Sequence, residues 1–382
     1  MSNRISNLRN LMVKHHLDAL LISSLPNITY LTNFSHFSKD EREAFLFITT
    51  DKQYILTDGR YSETVKNRVK DFKLIKISPK LSFEKALKIL AKKYKIKKVG
   101  IEQQNITVAE HKKLSSCFND LNHFSMTNLR AIKNAKEVSA IEKACKLGDK
   151  TFEYILNKVK LGVTEKQLSF EIEFFIKKHG ADISFPPIVA FGKNSAIPHH
   201  VPTHNSKLLT HNSIILLDFG VRLNNYCSDM TRTVFFGQPT NEQKKMYQTV
   251  LEAQEKAIES LSHLGRWRGN DLDSSEVNYR GIKASAVDKI ARKYITSHGY
   301  PTIPHSLGHG IGLEVHESPR LSPKSKDILK PNMVFTIEPG IYILGFGGVR
   351  IEDVVVLEKE GPRLLTRSNK GKYSVVTSRL SS

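Results

Sequence analysis

Four carboxylates occupy equivalent positions in two predicted β-hairpins in the second half of the chain. Asp218 ends an apolar run, a glycine follows two residues later, and Asp229 lies on the strand that returns after a polar turn. Glu338 and Glu352 repeat this arrangement, with an apolar run, an acid, a glycine two residues on, a turn and a second acid. The repetition indicates an internal duplication.

These acids lie in apolar strands, where an ionised carboxylate is costly to bury unless it is paired or bound to a metal. Arg232 and Arg350 on the returning strands are the nearest cationic side chains, but one or two divalent cations would neutralise the cluster better. Hard carboxylate oxygens suit manganese, iron(II) or cobalt at least as well as zinc. The alternative, that each acid caps a turn or faces solvent, would account for one acid but not for the doubled pattern. Asp353 is expected to point outward because side chains alternate along a strand.

Three histidines, His305, His309 and His316, lie between the two hairpins. Glycines in the same segment disfavour a helix, and the order His-Glu-x-x-His of zinc-binding helices is absent. The segment therefore predicts a strand with a close backbone approach. Any single histidine could be structural, but three beside a carboxylate cluster favour one metal ligand and one or two groups that move protons.

The first third of the chain has the helix and strand pattern of an α/β domain. Helices are predicted over residues 4–16 and 83–94, and strands over residues 19–23, 44–48, 54–56, 73–77 and 98–102. This first domain, residues 1–130, is expected to end near residue 130.

The second domain, residues 131–382, is predicted to begin with two amphipathic helices over 135–160 and 164–179, and strands dominate the rest. Gly162 and Gly180 mark the predicted C-terminal ends of these helices.

A mostly polar segment near residues 264–280 contains the only tryptophan, Trp267. We interpret it as a tolerated surface insertion. The alternative is that it covers the site or a dimer interface.

Composition indicates a soluble globular protein of two domains, since 40% of the 382 residues are hydrophobic and 25% are charged. No run approaches the roughly 18 apolar residues of a membrane-spanning helix, and charged residues interrupt the only candidate for a secretory signal. Three scattered cysteines are too few for a disulfide framework. A cytoplasmic location is therefore predicted.

The formal charge of +20 is concentrated in the first 130 residues, which hold 23 Lys and Arg against 12 Asp and Glu. The densest part, residues 92–98, could be an electrostatic footprint for nucleic acid. The better interpretation is the solvated end of a helix that leads into a strand, because no RNA-binding motif accompanies it. Nucleic acid is not expected as a partner.

Five segments, in order, carry a resemblance to a known superfamily. They are Leu-Asp-Phe-Gly at 217–220, Ser-Asp-Met-Thr-Arg-Thr at 228–233, Gly-His-Gly-Ile-Gly at 308–312, Ile-Glu-Pro-Gly at 337–340 and Arg-Ile-Glu-Asp at 350–353. With them, the chain resembles the methionine aminopeptidase, prolidase and aminopeptidase P superfamily. The resemblance implies an α/β N-terminal domain of the creatinase/prolidase type, followed by an α+β pita-bread catalytic domain with a pseudo-twofold antiparallel sheet.

The resemblance also implies a set of metal ligands. Asp218 would chelate one metal, His309 and Glu338 would bind the other, and Asp229 and Glu352 would bridge the two. The implied cofactors are two divalent metal ions, with manganese favoured over cobalt, iron or zinc.

Catalytic roles follow from the same resemblance. Two cations can share a water and lower its pKa toward neutrality, so peptide hydrolysis through a metal-bridging hydroxide is expected. Glu338 would take the proton of the water, and His316 would hydrogen-bond the substrate carbonyl or the tetrahedral intermediate. His199 matches the histidine that handles the scissile amide nitrogen, although His200 beside it leaves that alignment open.

Three further residues are predicted to bind substrate. His305 would line the same pocket, and Arg350 would orient a bridging acid, although either could be a packing or surface residue. Arg320, or a histidine, would receive the free carboxylate of a dipeptide.

Substrate class depends on the first domain. Methionine aminopeptidases of the superfamily usually lack such a domain, so the proline-specific branch is favoured, with peptides carrying proline at the second position as substrates and a homodimer as the expected assembly. Creatinase is disfavoured because it lacks the metal carboxylates. The sequence does not separate a Xaa-Pro dipeptidase from a Xaa-Pro aminopeptidase. A methionine-aminopeptidase-like activity and a non-catalytic binding protein are the alternatives.

Overall fold

The computed structural model describes residues 2–38, 41–208, 210, 212–263, 281–371 and 375–376. Contacts within the chain divide it into two units, residues 1–130 and 131–382. The insertion predicted near residues 264–280 lies outside the described residues. In the part of the chain that is described, no helix is both long and apolar enough to cross a membrane.

The first unit is built on a mixed sheet. Its helices are α1 (Ser2–Lys14), α2 (Leu25–Thr32), α3 (Ser62–Arg68), α4 (Phe83–Tyr94), α5 (Val108–Ser115) and α6 (Thr127–Ala131). Its strands are β1 (Ala19–Ile22), β2 (Ala44–Thr49), β3 (Gln53–Thr57), β4 (Lys73–Lys76), β5 (Lys98–Ile101) and β6 (Asp120–His123). The strand order is β4-β3-β2-β1-β5-β6, in which β1–β2 and β2–β3 are antiparallel and the other pairs are parallel.

Burial explains why this sheet forms where it does. Every residue of β1 and β2 is buried, as expected for central strands covered on both faces. Leu87 and Leu90 of α4 pack with Val99 and Ile101 of β5 in one hydrophobic cluster. The predicted helix over residues 83–94 coincides with α4, and the five predicted strands fall within one residue of β1 to β5 at each end.

Helices α2 and α5 and strand β6 were not predicted from the sequence. Helix α5 carries a usable signal, because the Thr107 side chain accepts from the Glu110 main chain and the Glu110 side chain accepts from the Thr107 main chain. This reciprocal capping box is a sequence-level mark of a helix start.

The second unit begins with α7 (Ala135–Leu156) and α8 (Glu165–Lys178), and continues with α9 (Asn241–His263) and α10 (Ala284–Ser297). Asn134 and Thr164 cap the first two helices through capping boxes. Gly180 follows α8 with a φ of +74°, as predicted for a helix end. The prediction for α7 was wrong by four residues, because this helix ends at Leu156, well before Gly162.

The strands of the second unit form several small sheets. They are β7 (Asp182–Ile183), β8 (Ile188–Phe191), β9 (Ser213–Phe219), β10 (Val221–Leu223), β11 (Tyr226–Cys227), β12 (Met230–Phe236), β13 (Ile282–Lys283), β14 (Gly308–Gly310), β15 (Glu317–Leu321), β16 (Ile328–Leu329), β17 (Val334–Ile337), β18 (Gly340–Ile343), β19 (Gly347–Arg350), β20 (Asp353–Glu358), β21 (Gly361–Leu364) and β22 (Val375–Val376), with a 3-10 helix over Gly192–Ala196. The two largest sheets have the orders β22-β12-β9-β8 and β15-β14-β17-β20-β21.

The two predicted hairpins are present and share one architecture. The first acidic ribbon, residues 213–236, pairs β9 with β12 and β10 with β11, and the second acidic ribbon, residues 334–358, pairs β17 with β20 and β18 with β19. All four pairings are antiparallel. In each ribbon the strands break and restart next to the acids, so the repetition in sequence is also a repetition in structure.

Candidate metal centre

The first acidic ribbon places Asp218 in β9 opposite Thr231 of β12, and Asp229 directly before β12. Gly220, two residues after the first acid, lies where the ribbon is narrowest, since a Cβ at this position would come within 2.1 Å of the Ser228 carbonyl oxygen. The glycine in the repeated pattern is therefore required by a close backbone approach, and it lets both acids lie at the same end of the ribbon.

The two glutamates of the second acidic ribbon lie just beyond the end of the β17–β20 pair. Ile337, the last residue of β17, pairs with Asp353, the first of β20, so Glu338 and Glu352 lie side by side where the ladder stops. The Glu352 main-chain N–H donates to the Thr231 carbonyl at 3.1 Å, which joins the two ribbons at their acidic ends.

The predicted ligands come together around His309. Ligand atoms of Asp229, His309 and Glu352 lie within 4.8 Å of one another. His309 Nε2 is 3.6 Å from Asp229 Oδ2 and 3.3 Å from Glu338 Oε1. Asp218 is joined to the group through Arg350, whose Nη2 lies 2.5 Å from Asp218 Oδ2.

Crowding of buried carboxylates perturbs their acidity. Burial, followed by the charge of Glu352, raises the pKa of Asp229 and that of Glu338 well above their usual range. Burial, followed by the charge of Asp218, raises the pKa of Glu352 to about 8. Without a cation, the acids cannot all be ionised at neutral pH, and divalent metal ions supply the missing positive charge.

The main chain orients the His309 ring. Its Nδ1 donates to the Gly310 carbonyl at 3.1 Å, which leaves the lone pair of Nε2 directed at the carboxylates. Burial, followed by the charge of His316, lowers the pKa of His309 to about 4, so the ring is neutral at pH 7. A neutral imidazole with one nitrogen held by a carbonyl is the usual form of a metal-bound histidine.

Strand β14, as predicted, is a strand with close backbone approach. A Cβ on Gly308 would lie 1.9 Å from the Thr336 carbonyl oxygen, and one on Gly310 would lie 2.1 Å from the Ser318 carbonyl oxygen. The glycines on both sides of His309 therefore allow the strand to lie directly between its neighbours.

Two orphaned oxygens provide a test of whether this cluster suits a metal. Asp218 Oδ1 and Asp229 Oδ1 are buried and have no hydrogen-bond partner among the described residues. A buried carboxylate oxygen without a partner is costly. Four carboxylates and one imidazole form a donor set that divalent ions accept, so the residues fit divalent metal ions.

The metal-free protein is expected to lose stability as the pH rises from about 6.5 to about 8. A carboxyl such as that of Glu352, with a pKa near 8 when folded and near 4.5 when unfolded, holds its proton only in the folded state across this range. The stability that this proton contributes is complete below the pKa of the unfolded state and is lost as the pH rises through the pKa of the folded state. His305 and His309 act in the opposite direction only between about 4 and 6.5, where their folded and unfolded pKa values differ. The loss from Glu352 alone should be about 2 kcal/mol over the range.

Urea unfolding at about pH 6.5 and about pH 8, with a chelator present, measures this loss of stability. The same titration with manganese is the control. The decline should disappear when manganese is present. A metal-free protein whose free energy of unfolding stays constant or rises would contradict the electrostatic description of the cluster.

Of the other predicted histidines, His316 contacts His309, and His199 lies within electrostatic reach of His316. The His316 ring lies edge-on to the His309 ring with centroids 4.3 Å apart. Partial burial, followed by the charge of His199, lowers the pKa of His316. The exposed His199 also lowers the pKa of His305, so it lies within electrostatic reach of both rings. His200, the alternative to His199, is instead bound to the buried Glu165 at 2.8 Å.

His305 is fixed through both ring nitrogens. Its Nδ1 donates to the Ser306 carbonyl at 2.8 Å, and its Nε2 accepts from the Tyr342 hydroxyl at 2.8 Å. Burial, first among the causes, lowers the pKa of His305 to about 4. Its Nδ1 lies 4.0 Å from Glu338 Oε2, at the edge of the cluster.

Arg350 and Arg320 lie in different surroundings. Arg350 is buried, pairs with Asp218 and donates from Nε to the Thr231 hydroxyl at 3.0 Å. That hydroxyl in turn donates to Glu352 Oε2 at 2.7 Å, so Arg350 reaches a predicted bridging acid only through Thr231. Arg320 is exposed on β15, and its Nε donates to the Ser306 hydroxyl at 2.9 Å.

Three hydroxyl groups of the site were not predicted. Thr231 and Thr336 stand two residues from Asp229 and Glu338, and each hydrogen-bonds a carboxylate of the cluster. Same-face alternation along a strand could have identified both. Tyr342 has no such local signal, because its position depends on how β18 pairs with β19.

The outward orientation predicted for Asp353 is wrong. Asp353 is fully buried and accepts hydrogen bonds from Arg232 at 2.6 Å, Lys370 at 2.6 Å and Thr366 at 2.7 Å. Its pKa is lowered because Arg232 and Lys370 outweigh the effect of burial. Strand alternation does turn it away from Glu352, but the C-terminal segment covers that face of the strand.

Comparison with known proteins places this arrangement in a family. Residues 139–359 match metallopeptidase family M24, and residues 4–132 match the creatinase/prolidase N-terminal domain. The chain belongs to metallopeptidase family M24. The predicted superfamily and the predicted fold class, a creatinase/prolidase-type α/β domain followed by an α+β pita-bread catalytic domain, are confirmed.

Members of the family match along nearly the whole chain. A Xaa-Pro dipeptidase of Pyrococcus horikoshii is 33% identical, covering 97% of this chain and 98% of that protein. The solved structure of a Xaa-Pro dipeptidase from Bacillus anthracis is 31% identical with a TM-score of 0.86, covering 98% of this chain and 99% of the other. The structure of an X-Pro aminopeptidase from Thermotoga maritima is 31% identical with a TM-score of 0.81, covering 95% and 98% of the two chains.

Proposed function

We propose that this M24 enzyme hydrolyses Xaa-Pro peptide bonds and that Asp218, Asp229, His309, Glu338 and Glu352 hold two divalent metal ions. The observation that carries the proposal is the convergence of these side chains from two ribbons and an intervening strand, with two buried carboxylate oxygens that have no hydrogen-bond partner among the described residues. Bound divalent ions would lower the pKa of a water and polarise the scissile carbonyl.

Glu338 is proposed as the general base. Its carboxylate lies 3.3 Å from His309 and 4.0 Å from His305, inside the cluster, and its Oε1 accepts from the Thr336 hydroxyl at 3.3 Å. Burial, followed by the charge of Glu352, raises the pKa of Glu338 in the metal-free protein. A carboxylate with a raised pKa is better suited than an ordinary one to take a proton from water.

His316 and His199 are proposed to act on the substrate. Edge-on contact with His309 places His316 beside the cluster, where it can donate to the carbonyl oxygen of the scissile bond. His199 lies within electrostatic reach of His305 and His316 and can donate to the amide nitrogen that leaves. Both are exposed, as groups that meet a peptide from solvent must be.

A chain of hydrogen bonds that all donate in one direction holds His305 at the edge of the site. Arg350 donates to the Tyr342 hydroxyl at 2.9 Å, Tyr342 donates to His305, and His305 donates to the Ser306 carbonyl. The Tyr342 hydroxyl and His305 Nδ1 each have one acceptor, so the tautomer of His305 is fixed and neither ring nitrogen is available as a metal ligand. We therefore propose that His305 and Arg350 shape the substrate pocket. Arg320 could receive a substrate carboxylate if its bond to Ser306 opens.

The names of the relatives support the proposed class of substrate. The proteins that match along the whole chain carry the names Xaa-Pro dipeptidase and X-Pro aminopeptidase, and both have this two-domain length. Manganese suits the oxygen-rich ligand set. A homodimer and a cytoplasmic location remain predictions from the sequence.

A peptide panel tests the proposal. Ala-Pro, Ala-Pro-Ala and Met-Ala are incubated with the purified protein and manganese, and the products are separated by chromatography. We expect cleavage of proline-containing peptides that stops on chelation and returns with manganese, and no comparable cleavage of Met-Ala. Cleavage of Ala-Pro alone would identify a dipeptidase, whereas cleavage of Ala-Pro-Ala would identify an aminopeptidase. Faster cleavage of Met-Ala, or failure of the protein to bind divalent ions, would overturn the proposal.

A further inference from the structure

Gln254 is a fully buried residue of α9 that donates hydrogen bonds to the main chain next to both glutamates of the second acidic ribbon. Helix α9 packs its apolar side against this ribbon, since Val250 and Ala257 belong to the same hydrophobic cluster as Ile337 and Ile351. A polar side chain in such a core is costly unless its hydrogen bonds are satisfied. The contacts of Gln254 therefore indicate a specific role.

The regular ladder of the second acidic ribbon is interrupted where its glutamates lie, and the Ile351 N–H, which donates to the Pro339 carbonyl at 3.3 Å, connects the strands within this interruption. Strand β17 stops before Glu338 and strand β20 starts after Glu352, while the β18–β19 pair begins further on. The main-chain N–H groups of the two glutamates form hydrogen bonds outside the ribbon. That of Glu338 donates to the Leu307 carbonyl at 2.8 Å, and that of Glu352 donates to the Thr231 carbonyl. The neighbouring carbonyls need donors from another element.

Gln254 supplies those donors. Its Nε2 donates to the Ile337 carbonyl at 3.0 Å and to the Ile351 carbonyl at 3.2 Å, and an amide nitrogen carries the two hydrogens that this requires. Ile337 and Ile351 directly precede the two glutamates. The first acidic ribbon contributes a bond of its own near its break, where the Val221 N–H donates to the Ser228 hydroxyl at 3.0 Å. In the second ribbon the helix adds side-chain bonds to both strands, beside the main-chain bond between Ile351 and Pro339.

A charged residue fixes the orientation of the Gln254 amide. Lys370 Nζ donates to Gln254 Oε1 at 3.0 Å and to Asp353 Oδ2 at 2.6 Å. Carbonyl groups only accept and an ammonium group only donates, so a single orientation of the amide satisfies every contact. Tyr247, also on α9, donates from its hydroxyl to the Lys370 carbonyl at 2.9 Å, which holds the lysine in place.

We propose that Gln254 is a positioning residue that fixes the separation of Glu338 and Glu352 and thereby sets the affinity of the site for divalent metal ions. The inference rests on the proposed function, because it takes these two glutamates as metal ligands. Each carbonyl that Gln254 holds belongs to the peptide unit that leads into a glutamate, so movement of that carbonyl moves the carboxylate. Hydrogen-bond partners behind metal ligands commonly change metal affinity by about 10- to 100-fold.

The test compares Gln254→Met with Gln243→Met in the full chain. Gln243 is a buried glutamine of the same helix that donates to the Asn212 carbonyl at 2.9 Å, at the end of the first acidic ribbon opposite its acids. Both substitutions replace the amide with an apolar side chain of similar volume and leave a main-chain carbonyl without its donor. Manganese affinity is measured by competition with a fluorescent chelator, and the visible spectrum of the cobalt(II) protein reports the coordination geometry.

Gln254→Met should weaken manganese binding by about 10- to 100-fold and alter the cobalt spectrum, whereas Gln243→Met should lower the melting temperature and leave both unchanged. Manganese affinity of Gln254→Met within about twofold of the wild type would overturn the inference, whatever the change in melting temperature. If Gln254→Met does not fold, Gln254→Asn, whose amide is one methylene short of the carbonyls, is judged by the same criterion. Wild-type protein that binds no manganese would instead refute the proposed function.

Discussion

Asp229→Asn is expected to reduce kcat by about 10²- to 10³-fold or more while the protein remains folded. Asp229 Oδ2 lies 3.6 Å from His309 Nε2, and Asp229 Oδ1 is buried without a hydrogen-bond partner in the described part of the chain. An amide in its place brings no negative charge to the cations that the site is proposed to hold. Burial already raises the pKa of this carboxyl, so folding does not depend on its charge. Steady-state hydrolysis of Ala-Pro with saturating manganese measures the effect, and circular dichroism reports folding.

Asp182→Asn is the matched control, because Asp182 is an exposed aspartate on β7, at the edge of the same sheet as β10. It should retain the wild-type kcat and the wild-type manganese affinity. Near-normal turnover by Asp229→Asn would refute the bridging role proposed for Asp229.

Glu338→Gln is expected to lower kcat and kcat/KM together by about 10²- to 10⁴-fold, as loss of a general base does. The amide oxygen can still act as a ligand, so manganese affinity should fall less than in Asp229→Asn. KM for Ala-Pro should stay close to the wild-type value, because the substitution leaves the histidines and Arg350 in place. Stopped-flow kinetics with manganese at several concentrations separates the loss of turnover from the loss of metal.

Glu358→Gln serves as the control on the same ribbon, since Glu358 ends β20 and pairs at 2.7 Å with Arg363 away from the cluster. Its kinetics should match the wild type. If saturating manganese restored full activity to Glu338→Gln, Glu338 would be a ligand alone, and the proton would have to be accepted elsewhere.

The acidic ribbons could be predicted from the sequence because their signals are local. An apolar run that ends in an acid, with a glycine two residues later, defines where each strand stops, and the register then places Asp218 and Asp229 at one end. The strand character of the segment around His309 follows from its glycines in the same way. Such patterns need no knowledge of distant contacts.

The surroundings of these acids could not be predicted, because they come from segments far away in sequence. Asp353 is buried by Lys370 and Thr366, which follow it by more than a dozen residues. Gln254 reaches the second ribbon from a helix about 80 residues earlier, and its own neighbourhood carries no local signal of this contact. Periodicity predicts which face of a strand a side chain occupies but not what covers that face.

The glycines beside His309 limit how the metal preference of this enzyme can be altered. Neither Gly308 nor Gly310 has room for a side chain, so the anchor point of the residue between them cannot be moved by exchanging its neighbours. A library designed to favour a softer metal would therefore have to vary the carboxylates, whose strands tolerate side chains on both sides. The imidazole would serve as the invariant reference point for every variant in such a library.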